Sequence, residues 1–294
     1  MRYFPTFVFS LIAATFSTNA AAQECSPEFP QASQTVTVAG VEIGAGEYAS
    51  ENFVVRVRND ATGQCTARLR ISRLSTADIL SDTDFQLRSG GSLVTILPNE
   101  SAPISSSDEL FVPGIAGGAN GRAVPFILTV PSEWDVESGV RTEQLLLTLI
   151  GTDNEIADTM ILIINVSVPP AVELRVVGVT GSNEIAGINL GTLESQKINY
   201  SDPFGVRVWS NSPYSITFQS ENLGALAHET ASDTIPYQLR MNSRLVDVSG
   251  AQSTNFSERT GPLGDVHPLQ VTVEPFTARA GNYSDRVLVT VSAT

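Results

Sequence analysis

Phe53-Val-Val-Arg-Val-Arg-Asn59 reads as a strand with one wet face. Phe53, Val55 and Val57 fall on one side, and Val54, Arg56 and Arg58 on the other. A period of two with a polar face is the pattern of a half-buried antiparallel strand. Turn residues follow at Asn59-Asp-Ala-Thr-Gly63. The alternation then resumes, with Ala67, Leu69 and Ile71 set against Thr66, Arg68, Arg70 and Ser72.

The same grammar runs through the rest of the chain. Gly, Pro, Ser, Thr and Asn recur at loop spacing, and Ser75–Ser81 is the one stretch that reads as a short helical turn. In the apolar stretch Leu145–Val168, the polar Asp153, Asn154, Glu155 and Asp158 divide two strands, so this is not a membrane span. Many short strands with frequent turns predict an all-β protein built of immunoglobulin-like β-sandwiches.

The chain also repeats itself. Phe53–Asn59 matches Phe204-Gly-Val-Arg-Val-Trp-Ser210, and Ala67-Arg-Leu-Arg-Ile71 matches Tyr214-Ser-Ile-Thr-Phe218. Val41–Gly44 corresponds to Ile188–Gly191, and Phe85-Gln-Leu-Arg88 to Tyr237-Gln-Leu-Arg240. Later, Val124–Val130 pairs with His267–Val273, and Gly139–Leu149 with Gly281–Val291. The order is kept throughout. Two homologous sandwich domains are expected, 23–169 and 170–294, divided at Pro169-Pro170.

The copies differ after their last matched strand. The first continues through Gly151-Thr-Asp-Asn154 into Thr159–Val168, whereas the second stops at Thr294. The second sandwich is therefore expected to lack its final strand. Such a domain exposes a groove of unpaired backbone and open core, which a strand from another chain would close. Val206, Val208, Ile216, Phe218, Leu239, Val287, Val289 and Val291 are the expected inner-face acceptors of that strand.

The ending Ala280-Gly-Asn-Tyr-Ser-Asp-Arg-Val-Leu-Val-Thr-Val291 resembles that of spore-coat-U-like pilins, subunits of the archaic, Csu-type chaperone–usher pathway. Ile235-Pro-Tyr-Gln-Leu239 resembles a strand of the same family, and the resemblance covers 172–294 well and the first half faintly. The second half departs from the family in having no cysteine. The resemblance implies a pilin-like fold and three partners: a periplasmic pilus chaperone, an outer-membrane usher and the next pilin subunit, by donor-strand complementation. Only Gln23 and Glu24 precede Cys25 in the expected mature chain, leaving little to donate. The expected layout is a tip adhesin whose first domain attaches to a surface or receptor. A structural pilin of the fibre and a secreted carbohydrate-binding module are the alternatives.

Arg2, the apolar run Phe4–Ala14 and Ala20-Ala-Ala22 read as a signal peptide over 1–22, which predicts export to the periplasm and then the cell-surface pilus, with no membrane span after cleavage. With 17 Lys and Arg against 31 Asp and Glu, the formal net charge is −14. That balance argues against nucleic acid as a partner. In an oxidising compartment Cys25 and Cys65 have one intramolecular pairing, with free thiols or a metal site as the weaker alternatives.

No catalytic residue, metal site or cofactor is predicted. His228 and His267 stand outside any nucleophile or metalloprotease motif, and Gly114–Gly121 lacks the Lys-Ser/Thr end of a phosphate loop and reads as a flexible loop. Carboxylate pairs such as Asp82 with Asp84, or Asp108 with Glu109, read as solvated surface. Phe111, Val112, Ile115 and Trp134 are the candidate adhesive loop residues, against the alternative that Phe111 and Val112 are strand core.

Overall fold

The computed structural model describes residues 25–44, 46, 48–74, 85–181 and 185–294. The predicted leader, the helical turn at 75–81, Asp82 and Asp84 lie outside them. Apart from a 3-10 turn at Ser106–Asp108, the described structure is strand and connection.

The longer strands of the first half are β1 (Ser33–Val38), β2 (Tyr48–Asn59), β3 (Cys65–Arg73), β4 (Gln86–Ser89), β5 (Glu109–Ile115), β6 (Gly118–Pro131), β7 (Gly139–Ile150) and β8 (Ile156–Val168). Those of the second half are β9 (Val172–Val177), β10 (Phe204–Ser210), β11 (Tyr214–Ser220), β12 (Gln238–Met241), β13 (Ser249–Phe256), β14 (Asp265–Val273) and β15 (Val287–Ala293).

In the first half one sheet runs Pro27–Glu28, β2, β6, β4, Ser92–Leu93, and the other β1, β8, β7, β3, β5. Their inner faces share one core, with Val55, Val57, Leu69, Ile71, Phe126, Leu128, Leu145 and Leu147 buried. In the second half β9, β10, β14 and β12 form one sheet, and β13, β11 and β15 the facing one. Here Val206, Val208, Tyr214, Ile216 and Phe218 are the buried centre. The two separate cores are those of two β-sandwiches.

The ladders place the matched segments rung for rung. Val55 faces Val124, and their counterparts Val206 and His267 face each other. Ile71 faces Leu147 and Phe218 faces Val289. Leu87 faces Leu128 and Leu239 faces Val271. The internal similarity in sequence is thus a similarity of strand register.

Cys25 and Cys65 form a disulfide, Cα to Cα 5.5 Å, that ties the residues before β1 to the start of β3. Pro169 and Pro170 lie between β8 and β9. Asn211, fully buried, holds this junction. Its Nδ2 donates to Pro169 O (3.1 Å), its Oδ1 accepts from Ala171 N (2.8 Å), and its carbonyl accepts from Ser138 N (3.0 Å).

The glycine-rich stretch is not the flexible loop expected from composition. It closes one strand, β5, and opens another, β6. A Cβ on Gly121 would fall 2.2 Å from Val57 O, and one on Gly117 2.5 Å from Ala61 O. Glycine is required there by close backbone approach rather than by mobility.

Candidate functional site

The two sandwiches treat equivalent strands differently. In the first, β7 is flanked on both sides, by β3 and by antiparallel β8, and β1 then lies parallel on β8. Met160, Leu162, Ile164 and Val166 of β8, with Val36 and Val38 of β1, fill the inner face there, all buried. In the second, β15 pairs with β11, and among the described residues nothing pairs with its outer edge. The first strand of that sandwich, β9, stays in the opposite sheet and runs along β10 from Val172↔Ser210 to Val177↔Gly205.

Burial records the consequence. Leu145, Leu147 and Leu149 of β7 are fully enclosed at 0 % exposure, while Val287, Val289 and Val291 of β15 are only partly covered. Between β15 and β9 lies an apolar cavity of about 320 Å³. Leu174 and Val176 of β9, Ile188 and Leu190 of the connection, and Phe204 contribute to its lining.

Of the residues expected to accept a strand, Val206, Phe218, Leu239, Val287 and Val289 line this cavity. Val208 and Ile216 are buried in the same core beside it, and Val291 packs on that core from the edge strand. Sequence reasoning missed the β9 wall, although Val172, Leu174 and Val176 alternate with Glu173 and Arg175. It also missed Asp285, which lines the cavity. Asp285 accepts hydrogen bonds from Ser220 Oγ (2.5 Å), Tyr237 OH (2.7 Å), Asn222 N (3.1 Å) and Asn222 Nδ2 (3.0 Å). Burial, and then the bond to Asp285, push the Tyr237 hydroxyl well above the ordinary phenol value. This cluster pins the start of β15 to β11 and β12 while leaving its outer edge open.

The chain is similar to solved adhesive subunits of pili. One is the chaperone–tip adhesion subunit complex CsuC–CsuE of the archaic chaperone–usher Csu pili of Acinetobacter baumannii, at 15 % identity over 88 % of this chain and 97 % of that one, TM-score 0.44. Another is CfaE, the adhesive subunit of CFA/I fimbria of enterotoxigenic Escherichia coli, at 14 % identity over 92 % and 93 %, TM-score 0.45. The CupB6 tip adhesin of Pseudomonas aeruginosa is 8 % identical over 91 % and 95 %, TM-score 0.34. No family model matches the chain, and no curated protein matches it.

The four candidate adhesive residues do not share one exposed loop. Phe111, Val112 and Ile115 belong to β5, and the register of β5 on β3 shifts between Cys65↔Ile115 and Ala67↔Val112. That irregularity, at Pro113 and Gly114, turns both Val112 (2 % exposed) and Ile115 (0 %) into the core and leaves Phe111 (62 %) outside. Trp134 is half-buried and lies over Gly44, where a Cβ would fall 2.7 Å from Cζ2 of the indole.

Both histidines are packed into local structure. The His267 ring nitrogen Nε2 shares a hydrogen bond with Tyr214 OH (2.8 Å), and the ring lies against Phe256. His228 Nδ1 accepts from the backbone N–H groups of Thr230 and Ala231, and its ring meets Tyr283 edge-on. The Glu109 carboxylate is held by Arg68 (2.8 Å) and Arg70 (2.7 Å). Among the described residues no group of His, Cys, Asp and Glu is arranged to hold a metal ion.

Proposed function

We propose that the chain is an exported subunit of a chaperone–usher pilus, and that the cleft between β9 and β15 accepts a strand from the next subunit. The observation that carries this reading is the contrast between β7 and β15, which are equivalent strands, one enclosed on both edges and the other, among the described residues, paired on one edge alone. An open edge beside an open apolar face is an aggregation hazard unless another strand fills it. Each large apolar side chain buried there would contribute roughly 1.5–3 kcal/mol.

In this reading the donor is supplied first by a periplasmic pilus chaperone, and the subunit then passes to the outer-membrane usher and on to the cell-surface fibre. The first sandwich is closed by its own β1 and β8, so it needs no partner to complete its core. That self-sufficiency suits a domain, 23–169, that carries attachment, while 170–294 makes the joint to the pilus. A two-part subunit with one acceptor cleft fits the tip of the fibre.

The test is addition of synthetic peptides from a partner pilin's N-terminal extension to the purified full chain. A peptide of alternating apolar residues should raise the melting temperature of the second sandwich and leave the first unchanged. At a hundredfold excess over its dissociation constant the gain is about 2.7 kcal/mol. A scrambled peptide of the same composition should do nothing. No gain with any alternating peptide would overturn the reading.

A further inference from the structure

On the outer face of the sheet β9–β10–β14, two arginines stand directly opposite each other. Arg175 of β9 and Arg207 of β10 are ladder partners. Like charges directly across a ladder are destabilising, so this pair needs a reason. Part of it is Trp209, whose ring lies 5.4 Å from the Arg175 guanidinium carbon and 5.7 Å from that of Arg207. The ring is held in turn by Gly264 (φ +73°), where a Cβ would come within 2.9 Å of the indole. Cation–π contact offsets some of the repulsion.

The hydrogen-bonding donors are not used up. Glu173 takes one bond from Arg175 Nη2, at 3.2 Å. Among the described residues no carboxylate pairs with Arg207; its Nε is buried in the sheet, so the Nη end is the part that can meet a ligand. A guanidinium with unused donors beside a second guanidinium is a fork for a planar oxyanion. On the far side of Arg207, Val266 of β14 is its ladder partner and is 46 % exposed, and the next outward residue on that strand, Pro268, is exposed as well. The arginine pair therefore borders an exposed apolar ledge of two side chains, Val266 and Pro268.

We propose that Arg175 and Arg207, with Val266 and Pro268 beside them, form a binding site for an acidic saccharide of the uronic type. A sugar acid carries a carboxylate at one end of a ring whose C–H face is apolar, which matches a charged fork next to a ledge. Glu173 offsets one of the two charges, which leaves one uncompensated cation in the pair on a chain whose formal net charge is −14. The site lies on the outer face of the sheet, whereas the cleft opens on its inner side, so it is independent of strand acceptance.

The test measures binding of the purified full chain to immobilised polygalacturonate, to its methyl-esterified form, to dextran sulfate and to polyglutamate. Polygalacturonate should bind in a salt-sensitive manner, and the esterified polymer should not. Arg175→Gln and Arg207→Gln should each weaken binding about tenfold or more, as loss of a charge-assisted bidentate contact does. Arg175 is solvent-exposed, so R175Q keeps the test open if R207Q alters folding, which circular dichroism would reveal. Equal binding by R175Q and wild type, or by the esterified polymer, would overturn the proposal. So would absence of binding to polygalacturonate. Preference for dextran sulfate would reject the carboxylate, and equal capture of polyglutamate would make the surface one for acidic protein segments.

Discussion

Glu143 on β7 and Asp285 just ahead of β15 are equivalent residues, each two before a matching rung, Arg73↔Leu145 and Ser220↔Val287. In the first sandwich the acid pairs with Arg73 at 2.9 Å. In the second, Ser220 replaces that arginine, and Asp285 is satisfied instead by Ser220, Tyr237 and Asn222. Burial raises the Glu143 carboxyl above its ordinary value, with Arg73 pulling the other way. The same anchor is thus built twice with different chemistry, and only the second copy borders an open cleft.

Asp285→Asn removes charge from a group that accepts four hydrogen bonds. The second sandwich should lose about 1–3 kcal/mol, the range for leaving polar partners unsatisfied. Tyr237→Phe should cost about 1 kcal/mol by the same principle. Urea unfolding, followed by a probe in each sandwich, checks both, and the first transition should not move.

Leu147 and Val289 face equivalent residues, Ile71 and Phe218. Leu147→Ala makes a hole in a closed core and should cost about 2–5 kcal/mol. Val289→Ala, on the open edge, should cost about 1 kcal/mol or less in the unpartnered chain. Its cost should grow once a strand peptide is bound, which calorimetry with and without peptide would measure.

His267 is held below its ordinary value by burial, with Asp265 opposing. The unfolded chain therefore takes up a proton that the folded chain resists. Stability is complete above the unfolded value of about 6.5 and is lost as pH falls through it toward the lower folded value. Comparing melting temperatures of wild type and His267→Gln between about pH 7.5 and 5 isolates this contribution. The wild-type curve should fall more steeply.

The Cys25–Cys65 bridge closes a separation of 40 residues. Chain entropy gives such a loop about 4 kcal/mol. Reductant, or the double change to alanine, should lower the first melting transition and leave the second in place.

Most of the strands were legible because they alternate with a period of two, and the duplication was legible because six segments keep their order. The open edge followed from comparing the two copies. Other features depend on pairings far apart in sequence. The parallel docking of β1 on β8 joins Ser33 to Ile161 and leaves no local mark. Val112 and Ile115 are three apart, and strict alternation would put them on opposite faces. The irregularity at Pro113-Gly114 brings both inside. Asp285 and Tyr237 each lie in a stretch that resembles the pilin family, Ala280–Val291 and Ile235–Leu239, but nothing in the sequence joins them to each other or to Ser220.

Hydrogen exchange along β15 tests the open edge most directly. In the purified chain without added strand, alternate amides of Val287–Ala293, those turned away from β11, should exchange as fast as exposed backbone. Amides of Leu145–Leu149, bonded on both sides, should stay protected, and a bound strand peptide should protect β15 in the same way. Uniform protection along β15 in the unpartnered chain would mean that its edge is already closed, and would contradict the account.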